Sequence, residues 1–397
     1  MSSDSAPRPL PFQERKSPWR GWRDLLTGCY PAFLFGGPFP SDALPVFHFH
    51  EAAPDALEPY FRHLAENHYV TLTSDEITAL VLHGIRPPRR GVALTFDDAW
   101  NSLRWTVLPL LQKYDLRAIA YVSPARITDF PATPRPLPPP GTPPPADIDR
   151  RPPFFCTWSE LREVQASGRI DLQAHSLRHA QIEADSAIVD FLAPGARIHP
   201  HDLPWVQTPA GDRFLTRADL GAPLRSTRSR LSPAFAWKAP DAFAACTERV
   251  RQDGPDAFFR RPDWRTLLRD VLQKAPPGRW ETPEERTAAL REELGQSREI
   301  LESRLHKTVT HMCFPWAVSS PDSIAAARFA GFETACSDRL GGRHLVEAGN
   351  PPYQLMRLKH AWLPCLPGTG RRAFFHRRPS ASTGLDLRPP LYPLPNP

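Results

Sequence analysis

The six cysteines of this 397-residue chain form no C-x-x-C pair. Without closely spaced thiols, a thiolate zinc site is not expected. Cys29, Cys156, Cys246, Cys313, Cys336 and Cys365 are scattered, several of them in apolar runs. They read as buried free thiols, which favours a reducing compartment. No stretch is long and apolar enough to span a bilayer. No block of Lys and Arg interleaves with aromatics, so the net charge of +6 reads as an ordinary solvated surface and not as a nucleic-acid footprint. A secretory leader is not expected either: the opening MSSDSAPRPLPFQERK is polar and basic, and the apolar run CYPAFLFGG comes late and contains Pro31. A cytoplasmic location is therefore expected. The segment WRGWRDLLTGCYPAFLF mixes Trp, Arg and Leu as an interfacial anchor does, which keeps a peripheral membrane contact open. The alternative is a strap across the base of a barrel.

What is present reads as soluble and globular: 41% of residues are hydrophobic and 23% charged. The 49 prolines cluster, and so mark loops and tails. After a lead-in over residues 1–43, strands and helices alternate. LPVFHFH reads as a strand. PDALEPYFRHLAENH has helical spacing, with Leu57, Phe61 and Leu64 on one face. YVTLT is a short strand, and SDEITALVLHG is a helix with Ser74 as N-cap and Gly84 as stop. GVALTF, LRAIAYVS and RIDLQAH are further strands, with helices over WNSLRWTVLPLLQKY and TWSELREVQASG between them. The proline-rich 131–153 cannot form a helix or central strand. The rhythm breaks after residue 180 and resumes with a strongly charged helix over 283–305. TVTHMCFP, FETACS and YQLMRLKHAWL are the remaining strands, with SSPDSIAAARFAG as a helix. Such alternation implies a parallel sheet, and the number of units implies an α/β barrel. The expected organisation is a barrel over 44–182 and 283–370, an inserted region or lid over 183–282, and a disordered tail over 371–397.

In a barrel of this kind the reactive groups sit at the C-terminal ends of the strands. His48 and His50 end the first strand. Asp97 and Asp98 end GVALTF. His175 and His179 end RIDLQAH. Phe314, Pro315 and Trp316 end TVTHMCF. Two adjacent carboxylates after an apolar strand are costly unless their charge is used: one can bind a cation while the other serves as a base. The competing reading is that Asp98 caps the next helix. Spacing of four puts His175 and His179 on one face of a helical turn, a two-toothed metal clamp. Asp98, His175 and His179 then give three protein ligands and an open position, the composition of a catalytic site. Asp97 could take a proton from water, His50 could give one to a departing nitrogen, and a backbone N–H near Trp316 could hold an oxyanion.

TFDD (95–98), HSLRH (175–179) and CFPWA (313–317) resemble the successive motifs of the polysaccharide deacetylases, the NodB-homology or carbohydrate esterase family 4 group. FHFHEA resembles the Tyr-His strand that opens many bacterial members. The resemblance covers roughly 44–182 and 283–360. It implies a distorted (β/α) barrel of the deacetylase type with a long insertion, and removal of N-acetyl groups from amino sugars of a polysaccharide or lipid-linked glycan. It implies Asp97 as base, a divalent metal, Zn²⁺ first, on Asp98, His175 and His179, and the Trp316 amide as oxyanion donor. In the branch resembling poly-N-acetylglucosamine deacetylases, the acid histidine maps to His50; His360 ranks below it. Pro315 and Arg357 are taken as substrate-side residues, with Arg357 also placed to support the base. The third motif departs from the family: Cys313 stands where many members have Arg, and Trp316-Ala317 where Tyr-Gly is usual. A catalytically inactive glycan-binding barrel is the alternative function. An adaptor built on the proline-rich loop, and a two-carboxylate glycosidase, fit the residues less well. The expected partner is a glycan, not nucleic acid, and no motif names the sugar or the oligomeric state.

Overall fold

A computed structural model describes residues 18–50, 52–129, 154–372 and 392–394. The opening residues, the proline-rich stretch 131–153 and most of the tail lie outside the described residues. The chain divides into two compact units. One comprises Lys16–Arg178 and Arg291–Leu385, the other chiefly His179–Leu290.

The first unit is a curled parallel sheet. Its strands in chain order are β1 (Val46–Phe49), β2 (Val70–Thr71), β3 (Gly91–Phe96), β4 (Ala118–Val122), β5 (Ile170–Ala174), β6 (His311–Cys313), β7 (Thr334–Cys336) and β8 (Leu358–Lys359). They pair in the order β7-β6-β5-β4-β3-β1-β8, with β2 set against the start of β3, and every pair is parallel. The circle closes through a short crossing. Leu355 bridges to Cys336 of β7, and three residues later β8 pairs with β1. The fold is thus a distorted (β/α) barrel with a long inserted region. β3 and β4 are buried along their whole length, as continuous apolar runs between two covered faces must be.

The connecting helices agree with the sequence pattern, with local differences. Helix α1 (Pro54–Glu66) buries Leu57, Phe61 and Leu64. Helix α2 (Ser74–His83) ends at Gly84, whose φ of 66° suits a residue without Cβ. Its N-cap is Thr73 and not Ser74: Thr73 and Glu76 form a reciprocal capping box, and Ser74 instead donates to Asp171. The segment 100–114 is not one α-helix. A π-helical turn, Leu103–Val107, precedes α3 (Leu108–Lys113), where Pro109 can offer no N–H. Helix α4 (Trp158–Ala166) is boxed by Thr157 and Glu160. The expected last strand over 353–363 shrinks to two residues. The chain must leave β7 and reach β1 there, and His360–Cys365 turns as a 3₁₀ helix.

The lead-in is partly packed rather than loose. Pro18–Leu26 is helical, Phe33 and Leu34 are fully buried, and Arg371 holds the carbonyls of Phe33 and Gly37 at 2.7 Å each. The second unit has its own order. Gln181–Phe191 pairs antiparallel with Pro223–Ser229, a hairpin joins Trp205–Thr208 to Gly211–Phe214, and helices cover 240–253, 255–260 and 264–274. Phe191, Cys246, Val250, Phe258 and Leu268 form one of its cores. All six cysteines are buried.

Candidate metal centre

The side chains singled out by the sequence stand at the C-terminal ends of β1, β3 and β5. Successive residues of a strand face opposite sides, so Thr95 and Asp97 share a face. Both meet Arg357, which lies just before β8. Arg357 donates to Thr95 Oγ1 at 3.0 Å, Asp97 Oδ1 at 2.7 Å and Asp97 Oδ2 at 2.9 Å. Burial raises the proton affinity of Asp97, but the Arg357 charge and its two hydrogen bonds, with His50 and His175 behind them, hold the carboxyl well below its usual range. Asp97 is an ionised acceptor in a nearly closed setting. His50 reaches over it, with Nε2 3.6 Å from Oδ2 and the imidazole half exposed.

The neighbouring carboxylate faces elsewhere. Asp98 has a φ of 72° and accepts from Trp100 Nε1 at 3.3 Å. The next helical turn, Leu103–Val107, has Ser102 and not Asp98 at its N-cap position. Asp98 Oδ1 lies 3.5 Å from His175 Nε2. The other nitrogen of that ring, Nδ1, is 2.7 Å from the Cys313 carbonyl oxygen. A carbonyl only accepts, so Nδ1 carries the hydrogen and Nε2 points a lone pair at Asp98. Two acceptors confronting each other in a buried place repel unless a cation stands between them. Two ligands of a tetrahedral zinc are separated by about 3.4 Å, given metal–ligand distances of roughly 2.0–2.1 Å. The observed gap has that size. His179 completes the group: ligand atoms of Asp98, His175 and His179 all lie within 4.8 Å of one another, and all three residues are buried. The donor set therefore fits a divalent ion. A second grouping, His48, His50 and Asp97, is as compact, but Arg357 places a fixed positive charge on Asp97, which opposes a metal cation there.

His175 and His179 do not converge through a helical turn, as their spacing suggests. The segment between them is irregular, with Ser176 at φ 63° and His179 at φ 51°. Of ten non-glycine residues with positive φ among those described, six are Asp98, Ala99, Ser176, His179, Trp316 and Ala317. Such conformations cost about 1–3 kcal/mol each and persist only where their surroundings impose them. Here the strain gathers on the three motif loops.

The imposing contacts are visible around the histidine loop. Ser123 Oγ donates to the His175 carbonyl at 2.8 Å, and the Ala125 amide to the Leu177 carbonyl at 2.9 Å. From the other side comes the long helix α5 (Pro283–Leu305). Its Glu293 is buried; it accepts from the Arg178 amide at 2.7 Å and from Arg178 Nη1 at 2.9 Å, and its carbonyl takes the Leu177 amide at 3.1 Å. The charged pattern of this helix suggests a solvated face and hides Glu293; only the Arg inside HSLRH hints that an acid is needed. Glu293→Gln is expected to weaken divalent-ion binding at this site by about 10–100-fold, as loss of a ligand-orienting partner does. Calorimetric zinc titration would check it, and unchanged affinity would remove Glu293 from this role.

The remaining candidates have different fates. Trp316 has φ 55° within the turn Pro315–Ala317, directly after β6 and Phe314. Pro315 is buried. Arg357 is buried as well, and its guanidinium is engaged by Thr95 and Asp97, so it stands behind the base and not on the substrate side. His360 is exposed, stacks on Phe49 at 5.1 Å and has Nδ1 3.3 Å from the His48 carbonyl oxygen.

Beneath the site a polar chain crosses the barrel interior, for which the sequence carries no local signal. Arg357 lies over the Tyr121 ring at 5.6 Å; Tyr121 Oη is 2.8 Å from His311 Nε2, and His311 Nδ1 is 2.6 Å from Thr334 Oγ1. Burial pushes His311 down to about 4. The unfolded chain then binds the extra proton between about pH 6.5 and 4, so this contribution to stability is complete above 6.5 and is lost as pH falls through that window. The loss is about 3 kcal/mol by pH 4. His311→Gln should show a flatter dependence of urea stability on pH between those values; an unchanged slope would contradict it.

Residues 84–191, which include Asp97, Asp98, His175 and His179, match the model of the polysaccharide deacetylase family. Over 217 residues, 51% of this chain, the sequence is 26% identical to the poly-β-1,6-N-acetyl-D-glucosamine N-deacetylase of Escherichia coli K12. It is equally similar to the protein of that name from Escherichia coli O157:H7. The chain spans 30% of the length of these relatives. Similar solved structures include the BpsB deacetylase domain of Bordetella bronchiseptica (19% identity, TM-score 0.45, covering 81% of this chain and 97% of that one). IcaB of Ammonifex degensii is another (14% identity, TM-score 0.45, covering 82% and 99%). The motif carboxylates and histidines thus fall inside the stretch that matches the polysaccharide deacetylase family.

Proposed function

We propose that this domain removes N-acetyl groups from amino sugars of a glycan, polymeric or lipid-linked, in a metal-dependent hydrolysis. The observation that carries the reading is the convergence of Asp98, His175 and His179 beside the Arg357-held carboxylate of Asp97. A divalent ion on the three ligands would supply Lewis-acid polarisation of the acetamide carbonyl and of the attacking water.

The other roles belong to the protein's own groups. Asp97, held ionised, accepts the proton of the attacking water. Arg357 fixes the carboxylate and keeps it ready, at some cost in basicity. His50, next to Asp97 and open to solvent, gives a proton to the departing amine, which would otherwise leave as a poor anion. The Trp316 amide, in the left-handed turn after β6, is the donor assigned to the developing oxyanion. Both relatives' names supply the first substrate to try, poly-β-1,6-N-acetyl-D-glucosamine.

The experiment is acetate release from N-acetylglucosamine oligomers by protein loaded with Zn²⁺, before and after chelation. Release that stops on chelation and returns with metal supports the reading. Metal-loaded protein that releases no acetate from any N-acetylated glycan, while still binding one, would move it to a glycan-binding barrel.

A further inference from the structure

Helix Pro18–Leu26 carries an exposed apolar stripe. Trp19, Trp22 and Leu26 are 74%, 62% and 80% exposed, and spacings of three and four put them on one side of the helix. Isolated exposed apolar residues need no explanation, but two indoles and a leucine on one face do.

Contacts just beyond the helix fix the place of this stripe. The Cys29 carbonyl accepts the His344 amide at 2.9 Å, Tyr30 stacks flat on His344 at 4.3 Å, and Asp24 lies 3.7 Å from the same imidazole. Arg23 lies against Gly341. His344 and Gly341 belong to the loop after β7, whose Asp338 amide donates to the Ala317 carbonyl in the third motif. The helix is therefore fastened at the C-terminal ends of the strands, the end that holds the candidate metal centre. Leu340 of the same loop is 63% exposed and extends the apolar surface.

We propose that this surface docks the barrel on an anionic lipid bilayer, with the stripe lying in the headgroup region. The charge pattern points to that partner. The sequence of the helix and residues 337–347 carries Arg20, Arg23, Arg339 and Arg343 against Asp24, Asp338 and Glu347; Arg23 pairs with buried Asp24 at 2.7 Å and Arg343 with Glu347 at 2.7 Å, which leaves Arg20 and Arg339 against Asp338. Indole rings prefer the membrane–water interface, and arginines beside them can reach anionic headgroups. Each cation near such a surface adds to binding, while the apolar face enters the acyl boundary. Docking there sets the mouth of the barrel close to the bilayer, where a membrane-borne glycan would be in reach. The inference stands on the surface alone and not on the proposed chemistry.

The test is co-sedimentation of the full chain with phosphatidylcholine vesicles, with and without phosphatidylglycerol, for the wild type and for Trp19→Gln/Trp22→Gln/Leu26→Gln. The wild type is expected to sediment with the anionic vesicles and less with neutral ones. The triple variant should partition at least about tenfold more weakly. All three side chains are exposed, so the variant keeps its fold, which an unchanged melting curve would verify. A wild type that stays in the supernatant with anionic vesicles overturns the proposal, as does a triple variant that binds as well as wild type. A wild-type dimer that the triple variant dissolves, without vesicle binding, would assign the stripe to a second copy of the chain and overturn it equally.

Discussion

Asp98→Ala and His175→Ala are each expected to lower acetate release by at least about a thousandfold, roughly 4 kcal/mol of transition-state stabilisation. Both side chains are buried with nothing to replace them at the metal position. Their loss is local. Asp98 bonds the nearby Trp100 indole, and the His175 backbone stays anchored through its amide to Val122 and its carbonyl to Ser123. The variants should therefore melt close to wild type while losing activity. A variant that keeps more than a tenth of wild-type turnover would show that the chemistry does not run through these ligands. Two-residue coupling is also expected: once either ligand is gone, removing the other should cost little more, because the ion needs both.

Arg357→Met should destabilise the barrel by about 3–5 kcal/mol, the cost of stranding a buried charge. Asp97 is 3% exposed, and Arg357 supplies two short charge-assisted bonds to it. The wild-type pair is not thereby a large net stabiliser, since both ions were taken out of water to make it. The distinction can be measured. The double variant Arg357→Met/Asp97→Asn should recover much of the loss, giving a coupling above about 1.5 kcal/mol in urea denaturation. Activity should fall in both, because the carboxylate that accepts the proton loses either its partner or its charge. Additive losses without coupling would mean that the two side chains act independently, against their 2.7 and 2.9 Å contacts.

The parts of this arrangement legible in the sequence are those written locally. An apolar run ending in Asp97-Asp98 states both a buried strand and a costly pair of charges at its end. RIDLQAHS does the same for β5 and His175. The barrel is implied by the repeated strand-to-helix rhythm, because each unit carries its own periodicity. Long-range facts are harder. Arg357 reads equally as a support for the base and as a substrate contact; nothing near it in sequence shows that two of its nitrogens are engaged by a carboxylate 260 residues earlier. HSLRH reads as a helical turn and is not one, because i, i+4 spacing is shared by helices and by any loop that reverses over the same length. The strain of its left-handed residues is offset by Glu293, Ser123 and Ala125, which lie on other elements. Strand β8 reads as long because apolar residues recur from Tyr353 to Leu363, but the need to cross from β7 to β1 leaves room for only two paired residues.

Whether Asp98, His175 and His179 hold one divalent ion is the point on which the proposed chemistry turns. The direct measurement is elemental analysis of purified protein equilibrated with Zn²⁺ and then dialysed, with His175→Ala beside it. The predicted result is about one ion per wild-type chain and none in the variant. A wild-type chain that takes up no ion, or a variant that keeps it, would contradict the assignment.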